Sequence, residues 1–142
     1  MYCDWTVWSS FHVLTRLLFF SSTLANVYHT KGKFMAKSGG FELNELSPEI
    51  RDCLFQAISY YEINLRLMEE VADRAAQGRA YGNIGNTLYL LGKFRQAVEA
   101  HNQRLQVARE LQDKPAERRA QCNLGNSHIF LGEFEKAVDN YK

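Results

Sequence analysis

The chain repeats itself every 40 residues, and this constrains its fold more than any other feature. Residues 73–102 overlay residues 113–142, reading RAYGNIGNTLYLLGKFRQAV in the first copy and RAQCNLGNSHIFLGEFEKAV in the second. Twelve of the thirty aligned positions are identical, among them Asp73, Arg79, Asn83, Gly85, Asn86, Gly92, Phe94 and Ala97 with their partners. A fainter copy lies upstream. Residues 57–73 overlay 97–113 at the same spacing and keep the Ala, Leu65/Leu105, Glu70/Glu110 and the Asp. Farther back, LANVYHTKGK at 24–33 resembles IGNTLYLLGK at 84–93, displaced by twenty additional residues. A 40-residue unit cannot bury its own apolar face, so neighbouring units must stack.

Each unit reads as two helices. The first begins at Asp73, whose carboxylate can cap free amides, and runs to Gly92, a natural residue just beyond a helix end. Ile84, Leu88 and Leu91 recur in it at helical spacing. The second starts near Phe94 and carries Phe94, Ala97, Val98, Leu105, Ala108 and Leu111 as an apolar stripe. Asp113 restarts the cycle, with Pro115 in the first turn, where its missing donor does no harm. Gly85 and Gly125 fall inside helices, at a cost of about 0.5–1 kcal/mol each relative to alanine. Close approach of the partner helix is the expected compensation, with Ala97 and Ala137 opposite. The fold class is all-α, an α-solenoid of helix-turn-helix repeats with a period of about 40 residues. Ile84, Gly85, Leu88, Gly92, Phe94 and Ala97 stand at the intervals of the tetratricopeptide pattern, as do Leu124, Gly125, Gly132, Phe134, Ala137 and Tyr141. His128 departs from it where Tyr is usual.

Composition closes off other classes. With 142 residues, 46% apolar and 23% charged, the chain has the makeup of one globular domain or a short array. Three Cys without a CxxC argue against a disulfide scaffold or a zinc ribbon. No window approaches the roughly 18–20 uninterrupted apolar residues of a membrane span; residues 11–20 come nearest, broken by His12 and Arg16. GNIGN lies within a helix and lacks a Lys-Ser/Thr ending, which disfavours a phosphate loop. His29, His101 and His128 lack metal-ligand spacing, and no nucleophile, base and oxyanion donor assemble. Neither an enzyme nor a cofactor or metal site is expected.

The segments DRAAQGRAYGNIGNTLYLLGKFRQAVEAHNQRL and ERRAQCNLGNSHIFLGEFEKA closely resemble the repeat domain of the LGN/Pins family, the G-protein-signalling modulators. The likeness extends back through LANVYHTKGK and PEIRDCLFQAISYYEINL, covering about 24–142. It implies an insertion loop after the YHxKGK helix, here residues 34–47, with Ser47-Pro48 opening the next helix. Residues 1–23 do not follow the family. Their apolar run with two Trp lacks the basic start of a signal peptide and reads as an atypical N-terminal segment. The expected organisation is then a partial repeat at 24–73, a complete repeat at 74–113 and a truncated repeat at 114–142, a fragment of a longer array.

Charge is unevenly placed. Residues 42–73 hold eight acidic and two basic side chains, whereas residues 74–119 hold nine basic and four acidic ones. Arg dominates, and planar guanidinium forks suit carboxylate recognition. In stacked helix pairs the first helices line the concave wall, which places Arg79, Asn86, Tyr89 and Leu90 on one side, and likewise Arg119, Asn126, Ile129 and Phe130. Asn amides there can bind the main chain of an extended peptide. Asn83 and Asn123 serve equally well as such ligands or as bridges between helices. Arg74, Arg95 and Arg109 read as solvated charges, and Cys122 as a small residue of the groove wall. Arg104, Arg118 and Arg119 match positions that contact acidic peptide residues in the resembled family.

The function so indicated is a peptide-binding scaffold. By resemblance its partners are Inscuteable-like or NuMA-like proteins, its processes spindle orientation, cell polarity and G-protein signalling, and its location the cytoplasm or cell cortex. Gα subunits would be bound only through a C-terminal region that these residues do not include. The alternative is a helical-repeat RNA-binding protein, which would show a period near 35 residues and base-reading pairs. The chain shows neither, so no nucleic acid is expected.

Overall fold

The computed structural model describes residues 5–38 and 46–142. They form six helices: α1 (Trp5–Ser38), α2 (Pro48–Glu70), α3 (Arg74–Leu90), α4 (Phe94–Glu110), α5 (Lys114–Phe130) and α6 (Phe134–Tyr141). Each helix packs on the one before and the one after it, while α3 and α5 touch lightly across the array. That nearest-neighbour pattern makes a solenoid. No described helix is long and apolar enough to cross a membrane.

Local chemistry explains the punctuation. Asp73 and Asp113 have identical backbone angles (φ −81°, ψ 87°), and each accepts from an amide three residues on, Ala76 and Ala116, at 2.9 Å. Ser47 does the same for Ile50 at 3.4 Å, with Pro48 as the first helical residue. The turns recur every 20 residues, and the second residue of each is left-handed: Ala72 (φ 54°), Gly92 (72°), Gln112 (55°) and Gly132 (72°). The next amide then reaches back over the helix end, Lys93 to Leu88 O and Glu133 to His128 O at 2.9 Å, which satisfies otherwise orphaned carbonyls.

Two packed clusters hold the array together. Ala25, Ala57, Tyr61, Ile84 and Ala100 join α1 to α4, with Tyr28, Tyr60, Leu65 and Leu88 around them. Leu105, Ala120 and Leu124 join α4 to α5, with Val98 alongside. Ala97 and Ala137 are buried, yet they are not what the helix glycines face. A Cβ on Gly85 would stand 2.6 Å from the His101 ring, and one on Gly125 would stand 2.5 Å from the Tyr141 ring. The close approach is therefore made by an aromatic ring one turn farther along the second helix. Gly85→Ala should cost about 1–3 kcal/mol by overpacking, despite alanine's better helix propensity. Urea unfolding measures it, and an unchanged midpoint would contradict this packing.

The first expected boundaries need revision. Helix α1 continues to Ser38, so the first five residues of the segment 34–47, expected as a loop, are helical. Residues 39–45 of that segment lie outside the described residues, as do residues 1–4. The same helix runs unbroken past residue 23, so no change of structure marks the end of the atypical segment there.

Candidate functional site

Helices α1, α3 and α5 are the first helices of successive repeats, and they share one wall. A row of asparagines runs across it at equivalent positions. Asn26 accepts from Tyr61 Oη (2.7 Å), and Asn126 accepts from Tyr141 Oη (2.6 Å). Between them, Asn86 accepts from the side-chain amide of Asn123 (3.0 Å), a bond that crosses from one repeat to the next. The carbonyl oxygens of all three are thus engaged by the protein. The amide N–H groups of Asn86 and Asn126 have no partner among the described residues and remain available as donors.

Asn86, Asn123 and Asn126 line a cavity of about 290 Å³ together with His29, Lys33, Tyr89, Leu90 and His101. Tyr89 of that lining packs against Phe94 and Phe130, with 4.7–5.5 Å between the centroids of the three rings. His29 Nδ1 lies 2.9 Å from Thr87 Oγ1, and that hydroxyl donates to Asn83 O at 2.8 Å. With its only proton spent, the hydroxyl must accept, so Nδ1 is the donor and His29 Nε2 carries the lone pair. Burial first, then Lys33, depresses the His29 pKa. Burial and then Arg104 push His101 down to about 4. Both rings are neutral at pH 7.

The arginines fall into two groups. Arg74 is held by Glu110 through two bonds of 2.7 and 3.1 Å, and Arg109 pairs with Glu117 at 3.0 Å. These two are therefore partnered, not merely solvated. Arg79, Arg104, Arg118 and Arg119 have no ion pair among the described residues. Arg104 is half-buried on α4, lying across Gly82 where a Cβ would displace it. Burial and then Arg119 lower its pKa, with Asp113 acting the other way. Two guanidinium groups thus oppose each other without a carboxylate at ion-pair distance. Such an arrangement invites an anion.

Of the residues picked from sequence, Arg79, Asn83 and Asn86 follow one another along a face of α3, as Arg119, Asn123 and Asn126 do along α5. Asn83 has no side-chain bond among the described residues, whereas Asn123 bridges α5 to α3. Arg118 is set about 100° around α5 from Arg119 and so leaves the asparagine face. Cys122 is exposed and free, Cys53 is buried and free, and Cys3 lies outside the described residues. His128 is buried and bonded to Glu133 at 2.7 Å, a packing role. No group of three or more metal-ligating side chains occurs among the described residues. Asn26, His29, Lys33 and His101 were not singled out as ligands. The likeness of 24–33 to 84–93 aligns Asn26 with Asn86 and was the available signal.

The exposed Arg74–Glu110 pair carries little stability. Arg74→Ala should leave both the thermal midpoint and any groove affinity nearly unchanged, which a melt and a titration would show.

Comparison with known proteins agrees with the helical-repeat fold. The tetratricopeptide repeat is found over residues 50–110 and again over 119–142. G-protein-signaling modulator 1 of mouse (Mus musculus) and of rat (Rattus norvegicus) is 53% identical over 71 residues, 50% of this chain and 10% of each relative. The human (Homo sapiens) protein of that name is 52% identical over 74 residues, 11% of its length. The matched stretch thus spans about a tenth of these relatives. Among solved structures, the TPR domain of Arabidopsis FLU superposes with a TM-score of 0.63 at 19% identity, covering 85% of this chain and 91% of that one. That likeness speaks to the fold alone.

Proposed function

The chain belongs to the tetratricopeptide-repeat proteins, and from that premise we propose that it is a protein-interaction adaptor whose concave wall binds extended acidic segments of partner proteins. One observation carries the reading. Arg74 and Arg109 are already paired with the protein's own carboxylates, whereas Arg79, Arg104 and Arg119 have no ion pair among the described residues, and Arg119 opposes Arg104. Asn86 and Asn126 present donors to a main chain, and the arginines present forks to its acidic side chains.

The likeness to G-protein-signaling modulator 1 supports a scaffold in G-protein signalling, and the resemblance to the LGN/Pins family extends the reading to cell polarity and spindle orientation. Inscuteable-like or NuMA-like proteins are the partners it suggests, met in the cytoplasm or at the cell cortex. No residue described here is assigned to a Gα contact.

Fluorescence anisotropy on the full chain tests the reading with three probes. One is a labelled peptide with Glu at unevenly spaced positions among Ser, Pro and Val. The second carries Gln for every Glu, and the third is a single-stranded RNA of mixed sequence. Saturable binding of the Glu peptide alone is expected. Preference for the RNA would replace the proposal with an RNA-binding role.

A further inference from the structure

Tyr61, His101 and Tyr141 stand at one position of three successive outer helices, 40 residues apart. The two tyrosines fill that position and donate to the asparagine opposite, Asn26 and Asn126. His101 breaks the pattern. It is 1% exposed, its Nδ1 is sealed from solvent without a hydrogen bond, and its Nε2 has no partner among the described residues. An imidazole lacks the reach of a phenol, so Asn86 turns to Asn123 instead, and the space left over is the cavity of about 290 Å³. A buried polar group left unanswered is unfavourable. Structures keep such groups rarely, and each calls for a reason.

Nδ1 is closed to any ligand, so Nε2 is the ring nitrogen that the cavity can serve, and the lining specifies what would meet it. Lys33 brings an ammonium, and Asn86 and Asn126 bring amide donors whose own oxygens are already engaged. No carboxylate lines the cavity. The volume is several times the roughly 30 Å³ share of one water molecule, enough for the end of a side chain. We propose that this cavity is a subsite for a single carboxylate side chain of the bound peptide, a Glu or Asp, taken by the Lys33 ammonium and the imidazole of His101. The proposal rests on the peptide-groove reading and narrows it: one acidic residue is recognised here individually, apart from those that meet the arginines. An amide or an alkyl side chain would leave Lys33 without a counter-charge.

A double-mutant cycle tests it. Each Glu of the anisotropy peptide is changed to Gln in turn and titrated against the unaltered chain, Lys33→Met and His101→Tyr. His101→Tyr restores the residue the neighbouring repeats carry, so its fold is secure; Lys33 is exposed, and its loss leaves the core intact. At one peptide position the Gln change should weaken binding tenfold or more for the unaltered chain and less than threefold for either variant. Equal losses at that position in all three proteins would overturn the subsite while the groove stands. Loss spread evenly over every Glu would overturn it too. Failure of the Glu peptide to bind the unaltered chain would remove the groove reading itself and the subsite with it.

Discussion

Replacing Arg118 and Arg119 together with alanine is expected to weaken binding of an acidic extended peptide by about tenfold to a hundredfold for each charge-assisted bond lost. Such bonds contribute about 1.5–3 kcal/mol when partly shielded from water. The paired change Arg74→Ala and Arg95→Ala should be nearly silent. Arg95 is exposed on α4, and for Arg74 the structure supplies a further reason. Arg74 already spends its fork on Glu110, whereas Arg119 faces Arg104 with no carboxylate at ion-pair distance. Of the two α5 arginines, Arg119 should carry the larger share, because it lies on the face of Asn123 and Asn126. Lysine in its place should recover only part of the affinity, since an ammonium cannot form the bidentate contact. Asn86→Ala and Asn126→Ala should weaken binding without altering its salt dependence, as they act on the peptide main chain. Titrations at two salt concentrations distinguish these cases. Equal, purely salt-dependent losses at every arginine would mark a diffuse electrostatic surface in place of a groove.

Acid should destabilise this protein through His101, and the effect is large. The buried ring has a pKa of about 4, against an ordinary value near 6.5 for the unfolded chain. Between those values the unfolded state binds the proton and the folded state does not, so stability falls as pH drops through that window. Across the full interval the loss is roughly 3 kcal/mol at 1.36 kcal/mol per pKa unit. His29 titrates in the same sense, and Lys33 and Arg104 stand near the two rings without supplying a negative charge. His101→Tyr should therefore be more stable than the parent at pH 5 and should show a flatter dependence of unfolding free energy on pH. Parallel pH profiles for the two proteins would show that the ring is not buried as a neutral base. A carboxylate bound beside His101 should oppose this loss, so acidic peptide should protect the unaltered chain more at pH 5 than it protects His101→Tyr.

Much of the architecture was legible in the residues because its signals are local. Asp73 and Asp113 cap α3 and α5 as their side chains suggest, and Gly92 and Gly132 take the left-handed turns that only glycine enters without strain. The matching turns at Ala72 and Gln112 carried no such mark, since an alanine or glutamine gives no hint of a positive φ. The 40-residue period announced the stacking. Periodicity could name the face that Gly85 presents, but not which residue of the next helix crosses it. That depends on the crossing geometry, and the answer was His101 where Ala97 had been expected. The end of α1 is hidden from the sequence for a related reason. A family's insertion shows where chain length varies, and a helix can extend into it, as α1 does to Ser38.

The cavity was legible in part. Asn86 and Asn126 line it from equivalent positions of α3 and α5, and helical spacing sets Arg79 and Arg119 on the same faces of those helices. Which arginines were already neutralised was not visible, because Arg74 finds Glu110 36 residues away on the neighbouring helix. Nor could spacing show that Asn86 exchanges its own repeat's partner for Asn123. The histidine that causes this exchange looked like a packed side chain. Only the comparison with Tyr61 and Tyr141 in space shows what it leaves open.

The most direct test of a concave peptide-binding wall is a chemical-shift map of the isotopically labelled chain titrated with the Glu peptide. The account predicts saturable shifts of the side-chain amide signals of Asn86, Asn123 and Asn126 and of backbone signals along α3 and α5, with the outward faces of α2 and α6 unmoved. Shifts confined to those outward faces, or none that saturate, would contradict it.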